Sequence, residues 1–386
     1  MHIAYVGPFS YPSSNANSIR INGVCRILEN LGHEITIIPG LNKNKEDIES
    51  LYNIISLNEY ENGFFSGLNG CRGLFLGDNT ISILEKMNPK PDIIILYGSS
   101  FGYLKRLLDF RKKNNIKLIL DIVEWYDPRH LPGGLLGPYS IINELSMRFF
   151  VKKADGLIVI SDYLRKYYQD SHKNIFLLPP VFAKGDTINF YKHNSSRVNL
   201  CYSGTPGKKE NFSILCEALE MAYKNKIKFT MNFVGITRDF FNKNQNYTFI
   251  SDNDYCKFYG RVDNTKAKEI VSACHFLIFF RPYMRFSNAG FPSKVAESFS
   301  LGTSVITNNF SDLDKYIVND FNGYIFKEGF SSSDVFKVIK KVSDNIRSYD
   351  NIQINSLSTF ERYFSIKSYL NLDIFIKSLF KFKPIK

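Results

Sequence analysis

Short apolar runs separated by amphipathic stretches fill the first half of the chain. They are HIAYV at 2–6, EITII at 34–38, DIIILY at 92–97, LILDIV at 118–123, GLIVI at 156–160 and NIFLLP at 174–179. Runs this short and rich in β-branched residues predict strands buried on both faces. Helical patterns lie between several of them. In SIRINGVCRILENLG, Ile19, Val24, Ile27, Leu28 and Leu31 share one face, and Gly32 supplies the stop. Strands alternating with helices predict a parallel sheet covered by helices on both sides.

The polar stretch AKGDTINFYKHNSSR at 183–197 has no periodic apolar face and predicts a linker. The alternation then restarts, with strands predicted at 198–202, 228–235, 256–260, 275–280, 303–307 and 323–326. Helices are predicted near 211–224, 265–273 and 293–301, and FERYFSIKSYLNLDIFIKSLF predicts one long amphipathic helix. The expected architecture is α/β, with two Rossmann-like doubly wound domains, 1–182 and 198–355, facing each other across a cleft. Ligands of such sheets bind outside the carboxyl ends of the strands.

Composition narrows the function classes. A chain of 386 residues, 44% of them hydrophobic, suffices for two cores. No long uncharged apolar window occurs, so no transmembrane helix is expected. The opening MHIAYVGPFSYP lacks a basic region followed by an apolar one, so no secretory signal is expected. Six scattered cysteines without a CxxC pair suit neither a disulfide scaffold nor a zinc site, and a reducing cytoplasm is the expected location.

Charge adds a partner class. The 49 Lys and Arg against 37 Asp and Glu give +12, which points to an anionic partner. Residues 101–117 carry Lys105, Arg106, Arg111, Lys112, Lys113 and Lys117 against one Asp109, with aromatic and aliphatic residues between them. RFFVKK at 148–153 and the tail FIKSLFKFKPIK repeat the mixture. Two readings stay open: solvated helix faces, or a peripheral patch for an anionic membrane surface. No nucleic-acid module is recognisable, and nucleic acid is not expected as a partner.

The chain has no GxxxxGK[ST] or HExxH, and GPFS replaces GxGxxG after the first strand. The informative segment is RPYMRFSNAGFPSKVAESFSLGTSVIT at 281–307. Pro292 precedes a helix whose first backbone N–H groups, from Gly290 through Phe291 and Ser293 to Lys294, suit an anion. Lys294 in that first turn opposes the helix dipole unless an anion is bound. Glu297 follows one turn later, where it can reach a ribose. A second glycine loop, CYSGTPGKKEN at 201–211, offers Gly204, Thr205, Lys208 and Lys209 at another strand end.

AGFPSKVAESFSLGTSVIT and the order of elements resemble the retaining GT-B glycosyltransferases of family 4, including bacterial enzymes of surface-polysaccharide assembly. So do LxxLGHEITII, VEWYDPRHLPGG, ADGLIVIS and the C-terminal helix. The resemblance implies a nucleotide-sugar site in the second domain, an acceptor site in the first, and residues 356–386 packing back on the first domain. Glu297 matches the second glutamate of the family's signature, and the first falls on Ala289. The family's diphosphate clamp falls near Thr205, a departure, and on Lys209. Arg281 or Arg285 is expected to supply the missing charge.

In the first domain, Glu124 ends a buried strand within DIVEWYDPRH and faces the cleft, or else serves as a cap; His130 is a further candidate or a surface residue. Ser14, Asn15, Asn17 and Ser18 open a helix in a loop suited to acceptor contact, or simply cap it. The expected catalytic set is Lys209, Glu124 and Arg281. Neither a metal nor a cofactor is expected beyond the nucleoside-diphosphate sugar as co-substrate, with UDP favoured. The expected activity is sugar transfer to a hydroxyl of a lipid-linked or surface glycan at the inner face of the cytoplasmic membrane. A nucleotide-sugar epimerase and a non-enzymatic basic membrane-binding protein are the alternatives.

Overall fold

The computed structural model describes the chain except Ser14 and residues 43–51, 61–75, 184–195, 208–209, 243–246, 347–348 and 381–386, and the side chains of His130 and Asn242. The described residues form two units. The first gathers Met1–Val181, Asn288–Phe291 and Ile366–Lys386; the second gathers Phe182–Ser287 and Pro292–Ser365.

In the first unit, β1 (His2–Gly7), α1 (Ala16–Asn30), β2 (Glu34–Pro39), β3 (Asn53–Ile54) and α2 (Asp78–Lys86) lead to β4 (Ile93–Tyr97). There follow α3 (Phe101–Asn114), β5 (Lys117–Ile122), α4 (Pro138–Leu145), β6 (Gly156–Val159), α5 (Asp162–Tyr168) and β7 (Ile175–Leu177). The sheet order is β3-β2-β1-β4-β5-β6-β7, with every pairing parallel. The order reverses between β1 and β4, which opens a binding crevice at their carboxyl ends.

A buried charge pair fixes this sheet to its helices. Arg20 on α1 grips Asp121 on β5 through Nε to Oδ2 at 3.0 Å and Nη2 to Oδ1 at 2.8 Å. Tyr5 on β1 donates to the same carboxylate at 2.6 Å. Arg20 Nη1 also donates to Leu178 O and Pro179 O, at 2.7 and 2.8 Å, which ties in the chain leaving β7. Each nitrogen of the buried guanidinium thereby donates to an oxygen, the condition under which a buried ion pair is tolerated.

The stretch 101–117 turns most of its apolar residues inward. Tyr103, Leu104, Leu107, Leu108 and Phe110 are buried on the inner side of α3. Arg106 pairs with Asp78 at 2.5 Å, and Arg111 with Asp155. Most of the apolar half of the mixture is core, and Lys105, Lys112 and Lys113 face outward.

The second unit runs β8 (Val198–Ser203), α6 (Phe212–Lys224), β9 (Phe229–Val234), α7 (Arg238–Asn242), β10 (Cys256–Gly260), α8 (Asn264–Ser272) and β11 (Phe276–Ile278). It continues with α9 (Arg285–Ala289), whose last two residues group with the first unit, then α10 (Ser293–Ser300), β12 (Ser304–Asn308), β13 (Gly323–Phe326), α11 (Ser332–Asp344) and α12 (Tyr349–Tyr363). Its parallel sheet has the order β10-β9-β8-β11-β12-β13, which reverses between β8 and β11. Phe212, Phe233, Phe241 and Phe258 pack ring on ring beneath it, with centroids 5.1–6.1 Å apart. The loop expected between β11 and α10 contains the one-turn helix α9.

The C-terminal segment is not one helix. It breaks after α12, where Phe182 N donates to Phe364 O at 2.9 Å and Ser365 bridges to Phe182. Phe364 N and Ser365 N both donate to Phe360 O, at 2.8 and 3.0 Å, which closes the last turn of the helix. The return to the first unit begins at Ile366 rather than at 356, and α13 (Leu372–Ser378) completes it. A Cβ on Gly156 would lie 2.8 Å from the Phe375 ring, so a larger residue on β6 would require the side chains of α13 to shift.

Candidate active site

In the second unit the crevice between β8 and β11 is built by two loops and the start of α10. Gly204 follows β8 with φ +140°, and its N–H donates to Val234 O at 3.0 Å. Gly235 lies directly against it: a Cβ there would meet Gly204 O at 2.5 Å. The glycine loop is therefore locked to the end of β9. Across from it, Asn308 at the end of β12 receives the Arg281 N–H and donates back to Arg281 O, both at 2.9 Å. That pair fixes the chain leaving β11. The Arg281 guanidinium sits 5.4 Å from the Phe310 ring centroid.

Lys294, in the first turn of α10, projects into this crevice. Its Nζ donates to Glu210 Oε1 at 2.8 Å and lies 4.6 and 5.2 Å from the Phe279 and Tyr202 ring centroids. A Cβ on Gly204 would be 3.5 Å from the same Nζ. Glu210 also accepts from the Tyr202 hydroxyl. Burial pushes the Lys294 ammonium below its ordinary range, Glu210 opposes that shift, and Arg281 adds to it. Burial and then Glu210 raise the Tyr202 phenol well above its usual value. The arrangement holds two cations near one carboxylate at a strand-end crevice and a helix N-terminus, which suits a polyanion such as a diphosphate. Glu297 follows on α10, a quarter exposed, 3.9 Å from Lys268 Nζ.

In the first unit the crevice between β1 and β4 contains a cavity of about 210 Å³. Pro8 after β1, Tyr97 at the end of β4 and Glu124 beyond β5 line one side. Tyr139, Asn143 and Ser146 close the other. Tyr126 hydrogen bonds to Glu124, and burial, reinforced by that carboxylate, raises its phenol pKa. Trp125 points the other way, buried, with Nε1 donating to Glu144 Oε1 at 3.0 Å. This alternation after β5 puts Glu124 in the cavity and uses Trp125 to anchor α4.

Comparisons with known proteins bear on the second crevice first. Residues 185–357 match the family described as glycosyl transferases group 1. That span contains the Gly204 loop, Glu210, Arg281, Lys294 and Glu297. No curated protein matches the chain by sequence. Among solved structures, sucrose-phosphate synthase from Thermosynechococcus elongatus is similar at 13% identity, covering 98% of this chain and 99% of its own, with a TM-score of 0.72. The Anabaena protein HepE, in complex with UDP and glucose, is similar at 12% identity, covering 98% and 99%, with a TM-score of 0.67. The lipopolysaccharide outer core galactosyltransferase WaaB is similar at 16% identity, covering 98% and 99%, with a TM-score of 0.66. Full-length likeness at such low identity shows the GT-B fold. With the domain match, it supports a GT-B glycosyltransferase.

The sequence-predicted residues distribute as follows. Gly204, Arg281, Lys294 and Glu297 lie in the second unit around the crevice, with Pro292 and Ser293 opening α10 and Thr205 exposed in the glycine loop. Arg285 starts α9. Ala289, Gly290 and Phe291 group with the first unit, where Ser161 Oγ donates to Ala289 O at 2.7 Å. Lys208, Lys209 and Ser14 lie outside the described residues, as does the His130 side chain. Asn15 stands at the N-terminus of α1 without a side-chain capping bond, and Asn17 Oδ1 accepts from Ser18 N. Ser18 is buried, its hydroxyl engaged with Ser10 O and Ser13 N. It therefore staples the loop rather than presenting a hydroxyl.

Sequence reading missed Glu210, Tyr202, Gly235 and Asn308. Glu210 follows directly on the Lys208–Lys209 pair, and a carboxylate there was the one available signal.

Proposed function

We propose that the chain transfers a sugar from a nucleoside-diphosphate sugar, with UDP the favoured carrier, to a hydroxyl of a lipid-linked or surface glycan, retaining anomeric configuration. The observation that carries this reading is Lys294, held by Glu210 against the Gly204 loop at the switch point of a unit that matches glycosyl transferases group 1. UDP bound to HepE favours the carrier, and the activity named for WaaB favours a glycan acceptor.

Charge grows on the diphosphate as its bond to the sugar breaks. Lys294, Arg281 and the N–H groups opening α10 stabilise that charge, and fixed cations in a shielded crevice do so without reorganising. Glu297 is assigned to the ribose. The acceptor oxygen bonds to the anomeric carbon as the phosphate oxygen leaves on the same face, and the acceptor proton passes to that oxygen. Glu124, in the cavity of the first unit, receives and orients the acceptor hydroxyl.

The test is nucleotide release from a set of UDP- and GDP-sugars, with and without extracted lipid-linked glycans. Release that requires the extract supports transfer. Sugar conversion from donor alone supports an epimerase and overturns the proposal, as does no turnover in any combination.

A further inference from the structure

The helix α4 has two working sides. Tyr139, Ile142, Asn143 and Ser146 line the cavity beside Glu124. On another side Ile141 and Leu145 stand 49% and 43% exposed, and Phe149, in the π-helical turn Ser146–Phe150 that continues α4, is 59% exposed. Immediately before α4, Leu135 and Leu136 are 72% and 85% exposed. Exposed apolar residues this closely grouped mark an interaction site.

The two leucines are held out by a closed loop. Gly133 has φ +82°, and a Cβ there would lie 2.7 Å from Gly137 Cα. A Cβ on Gly137 would lie 2.4 Å from Pro132 O. Gly137 N donates to Gly134 O at 3.2 Å, and the Ser140 hydroxyl donates to the same oxygen. The helix behind the loop is fixed as well, because Glu144 takes hydrogen bonds from Trp125 at 3.0 Å and Arg148 at 2.9 Å.

The flanking charge selects the partner. Glu144 is the one carboxylate between residues 131 and 153, while Arg148, Lys152 and Lys153 lie there and are exposed. An apolar ridge edged by cations complements an anionic bilayer surface. Among the described residues no helix is long and apolar enough to cross a membrane. We propose that Leu135, Leu136, Ile141, Leu145 and Phe149, flanked by Lys152 and Lys153, dock on an anionic lipid surface, so that a lipid-linked acceptor reaches the cavity along α4. The docking rests on this geometry; the purpose given to it rests on the transferase reading.

Flotation with vesicles tests it, using phosphatidylglycerol mixed with phosphatidylcholine and phosphatidylcholine alone. Wild type floats with the anionic vesicles at low salt. Leu135→Gln with Leu136→Gln and Phe149→Gln loses about tenfold or more in binding. Lys152→Ser with Lys153→Ser weakens binding and flattens its salt dependence. Lys105→Ser with Lys112→Ser and Lys113→Ser, on α3, floats like wild type. Thermal melts with and without UDP accompany each variant, so that loss of fold or of nucleotide response is seen separately. The proposal is overturned if wild type does not float, if the leucine variant floats unchanged, or if that variant instead converts a dimer to a monomer. A wild type that floats but gives no nucleotide response sinks the transferase reading alone.

Discussion

Lys294 Nζ donates to Glu210 Oε1 at 2.8 Å, and the two residues are 84 positions apart in the chain. Their pairing places one cation from the start of α10 against the loop that follows β8. Without an anionic ligand, Glu210 is its counter-charge; with a diphosphate in the crevice, the ammonium has a second partner. Removing it by Lys294→Ala deletes a charge-assisted hydrogen bond worth roughly 1.5–3 kcal/mol, about 10- to 150-fold in nucleotide affinity. Calorimetric titration with UDP checks this.

The same lysine makes binding pH-dependent. Burial holds its pKa in the folded protein below 10.5, so between the folded value and 10.5 the unfolded chain keeps a proton that the native state has released. Stability from this group therefore rises with pH across that window, and below it the buried charge imposes a constant penalty. Anion binding needs the protonated form and has the opposite trend. Nucleotide affinity should fall on the alkaline side before 10.5 is reached, and Lys294→Arg should remove that fall. Calorimetry across the alkaline range would show both.

Gly235→Ala should disturb the nucleotide crevice without touching a charged group. Its φ is +91°, and the new Cβ would meet Gly204 O at 2.5 Å. The expected loss is more than ~1 kcal/mol of stability, together with weaker UDP binding. Gly329→Ala is the control, since its φ is +86° with nothing within 4 Å of the added carbon. It should cost strain and leave UDP binding alone, as denaturant melts with and without UDP would report.

Asp121→Ala should be the more damaging change in the first unit. It leaves Arg20, 4% exposed, without its carboxylate, and deprives Tyr5 of its acceptor. Breaking a buried pair in this way costs about 3–5 kcal/mol. Urea unfolding measures the loss.

The architecture was legible in the sequence because both sheets are covered on both faces, so their strands appear as unbroken apolar runs. The two-residue strand Asn53–Ile54 was not, being too short for any pattern. The break after α12 was illegible for another reason: the amphipathic pattern continues through it, while the chain at Phe364 and Ser365 pairs with the distant Phe182. Lys294 and Glu297 stood out because they sit at set positions in a strand–loop–helix segment. Glu210 did not, since its function depends on a lysine from a distant segment. The burial of the aromatic residues of α3 was not legible, because composition alone does not say which side of a helix is core.

Glu124→Gln should separate acceptor from donor. The carboxylate lines a cavity of the first unit, and the nucleotide crevice is built from the second. Turnover should drop about a hundredfold, the cost of a misplaced acceptor hydroxyl, while UDP affinity stays as in wild type. Steady-state kinetics beside calorimetry distinguishes this from a general loss of fold.

The central claim is that the crevice around Lys294 and Glu297 binds a nucleoside diphosphate. The most direct measurement is thermal unfolding with UDP, GDP, ADP, dTDP and CMP, on wild type and Glu297→Gln. A nucleotide present at about 100 times its dissociation constant stabilises the native state by about 2.7 kcal/mol. The account predicts such a shift for wild type with a nucleoside diphosphate, UDP first, and a much smaller one for Glu297→Gln of equal unliganded stability. No shift with any of the diphosphates, or an equal shift in the mutant, would contradict it.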